Sequence, residues 1–103
     1  VLRASDLRSA EARRNISVAG VVTHRQRPAT AGGTMFINLE DETGLINVVC
    51  SLGCWNRYRI VARRSPALLV KGRLERSEGV VNVIAHSIHT LPVVASSPSR
   101  DFR

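Results

Sequence analysis

The sequence predicts an all-β domain, a five-stranded barrel with one helix between its third and fourth strands. Three observations carry this. Five stretches read as strands, alternating or nearly continuous in apolar residues and bounded by turn residues. One stretch, residues 52–64, instead repeats its apolar positions at the 3.6-residue period of a helix. The 103 residues, 44% of them hydrophobic, suffice for one small domain with a compact core.

Residues 1–14 read as a leader or linker. Ser5 is placed to cap a short helix from Asp6 to Arg14, with Leu7 and Ala10 as its thin apolar side. Residues 15–92 read as the folded domain. Its first strand runs from Ile16 to His24, nearly continuous in apolar residues, with Gly20 marking a bulge or bend. A loop follows from Arg25 to Gly33, marked by Pro28 and a glycine pair.

Met35 to Cys50 reads as a hairpin. Met35, Ile37 and Leu39 alternate with Phe36, Asn38 and Glu40, so the first trio faces a core and the second stands outside. The reversal lies in Glu40–Gly44, whose glycine takes the positive φ that a strand reversal needs. Leu45–Cys50 returns as a β-branched strand, with Asn47 and Val49 beside Phe36 and Asn38.

Leu52 to Arg64 reads as the helix. Cys54, Trp55, Tyr58, Val61 and Ala62 share one face, which favours core packing for both aromatics. Arg57 and Arg64 lie on one flank, Arg59 and Arg63 on the other, either to grip phosphates or to solvate an exposed face. Pro66 ends the helix. Ala67–Leu74 is the fourth strand, Glu75–Gly79 a turn, and Val80–Ala85 the fifth strand, extended toward Leu91. Residues 93–103 read as a C-terminal tail without periodicity. Strand, strand, strand, helix, strand, strand is the order of the OB-fold, a Greek-key barrel that binds oligonucleotides across its second and third strands.

Fifteen basic residues against eight acidic ones give a net charge of +7. Fourteen of the fifteen are Arg, which holds phosphate bidentately and stacks on bases. This points to a polyanionic partner, although a GC-rich genome also favours Arg codons. No apolar run is long enough to span a membrane and no signal-peptide pattern is present, so a cytoplasmic protein is expected. A first residue other than Met suggests a processed chain or an excised fragment. Cys50 and Cys54 are expected as reduced thiols. A zinc site from Cys50, Cys54, His86 and His89 fits poorly, because its spacings are wrong. Glu40, Asp41 and Glu42 are consecutive, so they diverge rather than converge on an ion, and turn solvation and capping explain them better. No metal or other cofactor is expected.

The segments Val18–Val22, Arg25–Pro28, Phe36–Gly44 and Asn47–Val49 together resemble the C-terminal OB domain of bacterial C-family DNA polymerase α subunits. The Arg25–Pro28 loop and the ending Ser99–Arg103 look most like the error-prone branch. The pattern across Phe36–Gly44 is also similar to anticodon-binding OB domains of class II aminoacyl-tRNA synthetases, where the residues matching Phe36 and Asn47 contact bases. The resemblance implies a non-catalytic segment of a DNA-directed DNA polymerase, because nothing here matches the palm carboxylates. It implies that the domain holds single-stranded DNA template, in translesion synthesis and repair, with accessory mutagenesis proteins and the remainder of the polymerase as further partners. Val49 stands where many OB domains carry a second aromatic, which implies weak intrinsic affinity.

The expected binding residues are Phe36 for stacking, Asn38, Asn47 and Val49 beside it, and Arg25, Arg27 and Arg76 on phosphates. Two other readings remain. One is a protein-interaction OB domain that docks accessory polymerase partners through Ile60 and Phe102. The other is a tRNA anticodon-binding domain. No catalytic residues assemble from the sequence.

Overall fold

The computed structural model describes residues 1–7, 9–26, 33–77 and 79–91. Its elements are a 3-10 turn (Ala4–Asp6), β1 (Asn15–Gln26), β2 (Met35–Asp41), β3 (Gly44–Cys50), α1 (Leu52–Arg64), β4 (Ala67–Ser77) and β5 (Val80–Thr90). The strands close into a barrel in the order β1-β2-β3-β5-β4. Every neighbouring pair is antiparallel except β3 with β5, which is parallel. This is the OB-fold.

The hairpin carries the barrel's inner wall. Met35 is 6% exposed, and Ile37 and Leu39 are fully buried against Ile46, Val48 and Cys50 of β3. Burying one such side chain contributes about 1.5–3 kcal/mol. A one-residue slip would put Phe36, Asn38 and Glu40 inside instead, so the apolar alternation fixes the register. The reversal is tighter than the sequence suggests. Both strands run on until Glu42 and Thr43 alone separate them, with Gly44 at φ +150.

Barrel closure needs sharp bends. Gly72 sits at a bulge in β4, and a side-chain carbon there would overlap the backbone carbonyl of Ile84. At Gly20 the same carbon would lie 2.8 Å from the Glu40 carbonyl oxygen. The irregularity in β1 falls between Val22 and His24, beyond the glycine, so Gly20 serves close strand approach and the bulge lies elsewhere. β1 also continues through Arg25 and Gln26, which the sequence had assigned to the loop, because both pair with β2.

Helix α1 has the predicted bounds. Ser51 caps it by accepting from Cys54 N–H at 3.2 Å. Trp55 and Ala62 are buried, and Cys54, Tyr58 and Val61 pack partly against the core. Tyr58 departs from helical backbone (φ -111, ψ 17) where its ring lies 6.4 Å from that of His89. Among the described residues, no helix is long and apolar enough to cross a membrane.

The first fourteen residues differ from expectation. The helix from Asp6 to Arg14 is absent from the described residues, which hold only a 3-10 turn at Ala4–Asp6, with Arg3 rather than Ser5 before it. Tertiary contacts override the weak helical pattern. Leu2 bridges to Val18, Ala4 N–H donates to the Asp41 carboxylate, and Leu7 is 4% exposed within the core. The tail lies outside the described residues, Phe102 included.

Candidate nucleic-acid interface

Directly opposed residues of neighbouring strands share a face. On the outer face, Phe36 therefore stands beside Val49, and Asn38 beside Asn47. All four are partly or fully exposed while their alternates are buried. Asn38 Nδ2 donates to Asn47 Oδ1 at 2.7 Å. This bond aligns the two amides and leaves the Asn38 carbonyl and the Asn47 NH2 to a ligand. A donor and an acceptor side by side, next to an aromatic, suit the edge and face of any nucleobase.

The parallel pairing of β3 with β5 widens this face. Asn82 lies beside Asn47, and Ile84 beside Val49, both half-buried. On the other side, His24 lies beside Asn38, and Gln26 beside Phe36, both exposed. No local pattern singles out these four, because pairing between β3 and β5 is non-local and the β1 bulge resets which residues point outward. Farther round, Arg73 and Glu75 continue the face and pair with each other at 2.6 Å.

Of the three expected arginines, the two described ones, Arg25 and Arg76, fall in different places. Arg25 lies opposite Ile37, on the side away from Phe36. Its Nε and Nη2 donate to the carbonyls of Ala62 and Ser65 at 2.6 and 2.9 Å, at the helix C-terminus. Arg76 donates to the carbonyls of Leu7 and Ala10 at 3.1 and 2.5 Å, which holds the N-terminal segment to the barrel. It also lines, with Asn47, a cleft of about 580 Å³ at the far rim of the face. Arg27 lies outside the described residues.

The acidic turn is structural. Asp41 accepts from Ala4 N–H, Thr43 N–H, the Thr43 hydroxyl and Gly44 N–H. Desolvation raises its pKa, but these hydrogen bonds outweigh it and hold the carboxyl below its ordinary value. Cys50 is fully buried, and burial, reinforced by Cys54, pushes its thiol pKa up. Among the described residues, no three His, Cys, Asp or Glu side chains are grouped to hold a metal ion.

A family model described as an OB-fold nucleic acid binding domain matches residues 16–91. A protein named error-prone DNA polymerase, from Nocardia farcinica, is 57% identical over 88 residues, covering 85% of this chain and 8% of that protein. Another of that name, from Cutibacterium acnes, is 55% identical over 104 residues, covering 100% of this chain and 9% of that protein. The chain thus spans less than a tenth of the length of these curated relatives. Among solved structures, the asparaginyl-tRNA synthetase of Pyrococcus horikoshii, complexed with asparaginyl-adenylate, aligns with a TM-score of 0.73 at 17% identity. That alignment covers 90% of this chain and 22% of the synthetase, and at such identity the likeness is one of fold.

Proposed function

The chain belongs to the OB-fold nucleic acid binding domains, with homologues named error-prone DNA polymerase, and from that premise we propose that it is a non-catalytic module holding single-stranded DNA template in such a polymerase. The observation that carries this reading is the outer face of β2 and β3. It presents one aromatic, two aligned amides and an apolar neighbour on a chain of net charge +7. Phe36 stacks one base, with Val49 and Ile84 as an apolar floor beside it. Asn38, Asn47 and Asn82 offer hydrogen bonds without strong preference among bases. Arg76 neutralises phosphate at the rim and Arg27 shares that role, while Arg25 positions the helix end and keeps its remaining N–H groups available to the strand. In the parent polymerase the module serves damage-tolerant synthesis, with catalysis elsewhere in the chain and accessory proteins as further partners.

The test is fluorescence anisotropy of a short labelled single strand. Removing a stacking aromatic costs about 1–3 kcal/mol, so Phe36→Ala should weaken binding roughly 5- to 150-fold at fixed salt. Wild-type affinity in that variant would refute the template reading. A second reading, docking of an accessory protein, draws on Ile60, which is 69% exposed on α1. It would then lead, and Ile60→Ser would weaken capture of that partner.

A further inference from the structure

Between β1, the start of β2 and α1 lies a cleft of about 530 Å³. Its walls carry three guanidinium groups, from Arg25, Arg59 and Arg63, over Met35 and Trp55, which are 6% and 4% exposed. No carboxylate is among its lining residues within the described chain. The ion pairs among the described residues are Arg3 with Asp6 and Arg73 with Glu75, so neither Arg59 nor Arg63 is neutralised there.

Such an arrangement has a local cost. Arg59 and Arg63 are four residues apart on one helix flank, and like charges at that spacing destabilise a helix. Arg63 lies in the last turn, where a cation offsets the helix dipole. Arg59 lies a full turn earlier and has no such compensation. Arg25 is already held by its two bonds to the helix end, with Nη1 given no partner among the described residues. A fixed guanidinium beside two that have no carboxylate partner among the described residues is complementary to an anion that brings several oxygens.

The cleft lies across the start of β2 from the base platform, because Met35 and Phe36 point to opposite faces of the strand. Met35 immediately precedes Phe36, and Leu52, which also lines the cleft, follows closely on Val49. We propose that this cleft is a phosphate-binding site, in which Arg59 and Arg63, with Arg25 between strand and helix, receive backbone phosphodiesters of the single strand as it leaves Phe36. The site rests on the template reading and adds to it a direction: the strand exits past the N-terminal end of β2, across α1. The flank carrying Arg57 and Arg64 takes no part. Arg57 instead lies over the Tyr58 ring, 5.6 Å from its centroid.

The experiment is a salt series of single-strand binding to the whole chain, read by anisotropy, with melting temperatures of every variant as the folding control. For single strands each phosphate contact contributes about 0.7 to the log–log salt slope. The double variant Arg59→Ala/Arg63→Ala should therefore flatten the slope by about 1.4, while Arg57→Ala/Arg64→Ala leaves it unchanged. An oligonucleotide with neutral methylphosphonate linkages should bind wild type and the Arg59/Arg63 variant alike. Inorganic pyrophosphate should leave the charged oligonucleotide bound. Displacement by pyrophosphate at concentrations below its own ionic-strength effect would assign the cleft to free phosphates and overturn the proposal. An unchanged slope in the Arg59/Arg63 variant, or equal flattening in the Arg57/Arg64 variant, would also overturn it. Phe36→Ala in the same series separates the two readings, because it tests stacking at fixed salt and leaves the cleft's slope in place.

Discussion

Asp41→Asn tests the joint between the hairpin and the N-terminal segment. The substitution keeps the side chain's size and replaces one acceptor oxygen with a donor. Oδ2 accepts from Ala4 N–H at 2.7 Å, and Oδ1 accepts from Thr43 N–H, the Thr43 hydroxyl and Gly44 N–H at 2.8, 2.7 and 3.1 Å. However the amide turns, its NH2 faces a backbone N–H. Net hydrogen-bond contributions run about 0.5–1.5 kcal/mol, and this site is partly open to water. Losing the Ala4 bond and weakening the other three to neutral strength should cost about 2 kcal/mol. For a domain of this size that is about 8–16 °C in melting temperature. The pH dependence has a definite sign. The folded carboxyl titrates below its ordinary value of 3.8, so its stabilisation is complete above that value and is lost as pH falls through the folded pKa. The variant should lack this part of the acid loss. Circular-dichroism melts at neutral pH and through the acid range measure both. Equal melting temperatures at neutral pH, or identical acid limbs, would refute the reasoning.

Gly72→Ala should destabilise the barrel by at least the about 1–3 kcal/mol of ordinary overpacking, since the new carbon meets backbone at Ile84; urea midpoints would show it. Arg25→Ala should cost about 1–3 kcal/mol through loss of its bonds to Ala62 and Ser65, and a wild-type denaturation midpoint would contradict that structural role. In the folded chain a thiol reagent should modify Cys54 first, and Cys50, fully buried with its pKa pushed up, should react only on unfolding; mass spectrometry of the labelled peptides decides the order.

The barrel was legible because its signals are local. Met35, Ile37 and Leu39 alternate cleanly, and residues 52–64 repeat at helical period, so faces and helix bounds follow from neighbours in sequence. The interface was legible only along β2 and β3, for the same reason. Asn82 and Ile84 join it through a parallel pairing thirty-five residues distant in register, from Asn47 to Asn82, which no local pattern encodes. Arg25 looked like a loop cation because the strand's end was read as a turn. Two more paired residues place it on the opposite side, against the helix. The N-terminal helix failed for a related reason. Its few apolar residues could not stabilise a helix, whereas Leu2 and Leu7 had partners on the barrel that only the fold supplies.

On the template reading, the composition of the interface determines how it must be used. A single aromatic limits stacking to one base at about 1–3 kcal/mol. Asn38 and Asn47 already satisfy part of each other's hydrogen-bonding capacity, so a base gains only what their remaining groups offer. Val49 and Ile84 add contact area but no stacking surface. Such a face binds a free oligonucleotide weakly, and phosphate contacts supply a large share of its affinity. Weak binding suffices for a segment spanning 8% of a relative's length, because attachment to the rest of a polymerase that already grips the template replaces affinity with effective concentration. It also suits the task. A template must slide past with every nucleotide added, damaged bases included, so one tolerant stacking position flanked by guanidinium groups lets the strand advance where a deep, sequence-reading site would stall it.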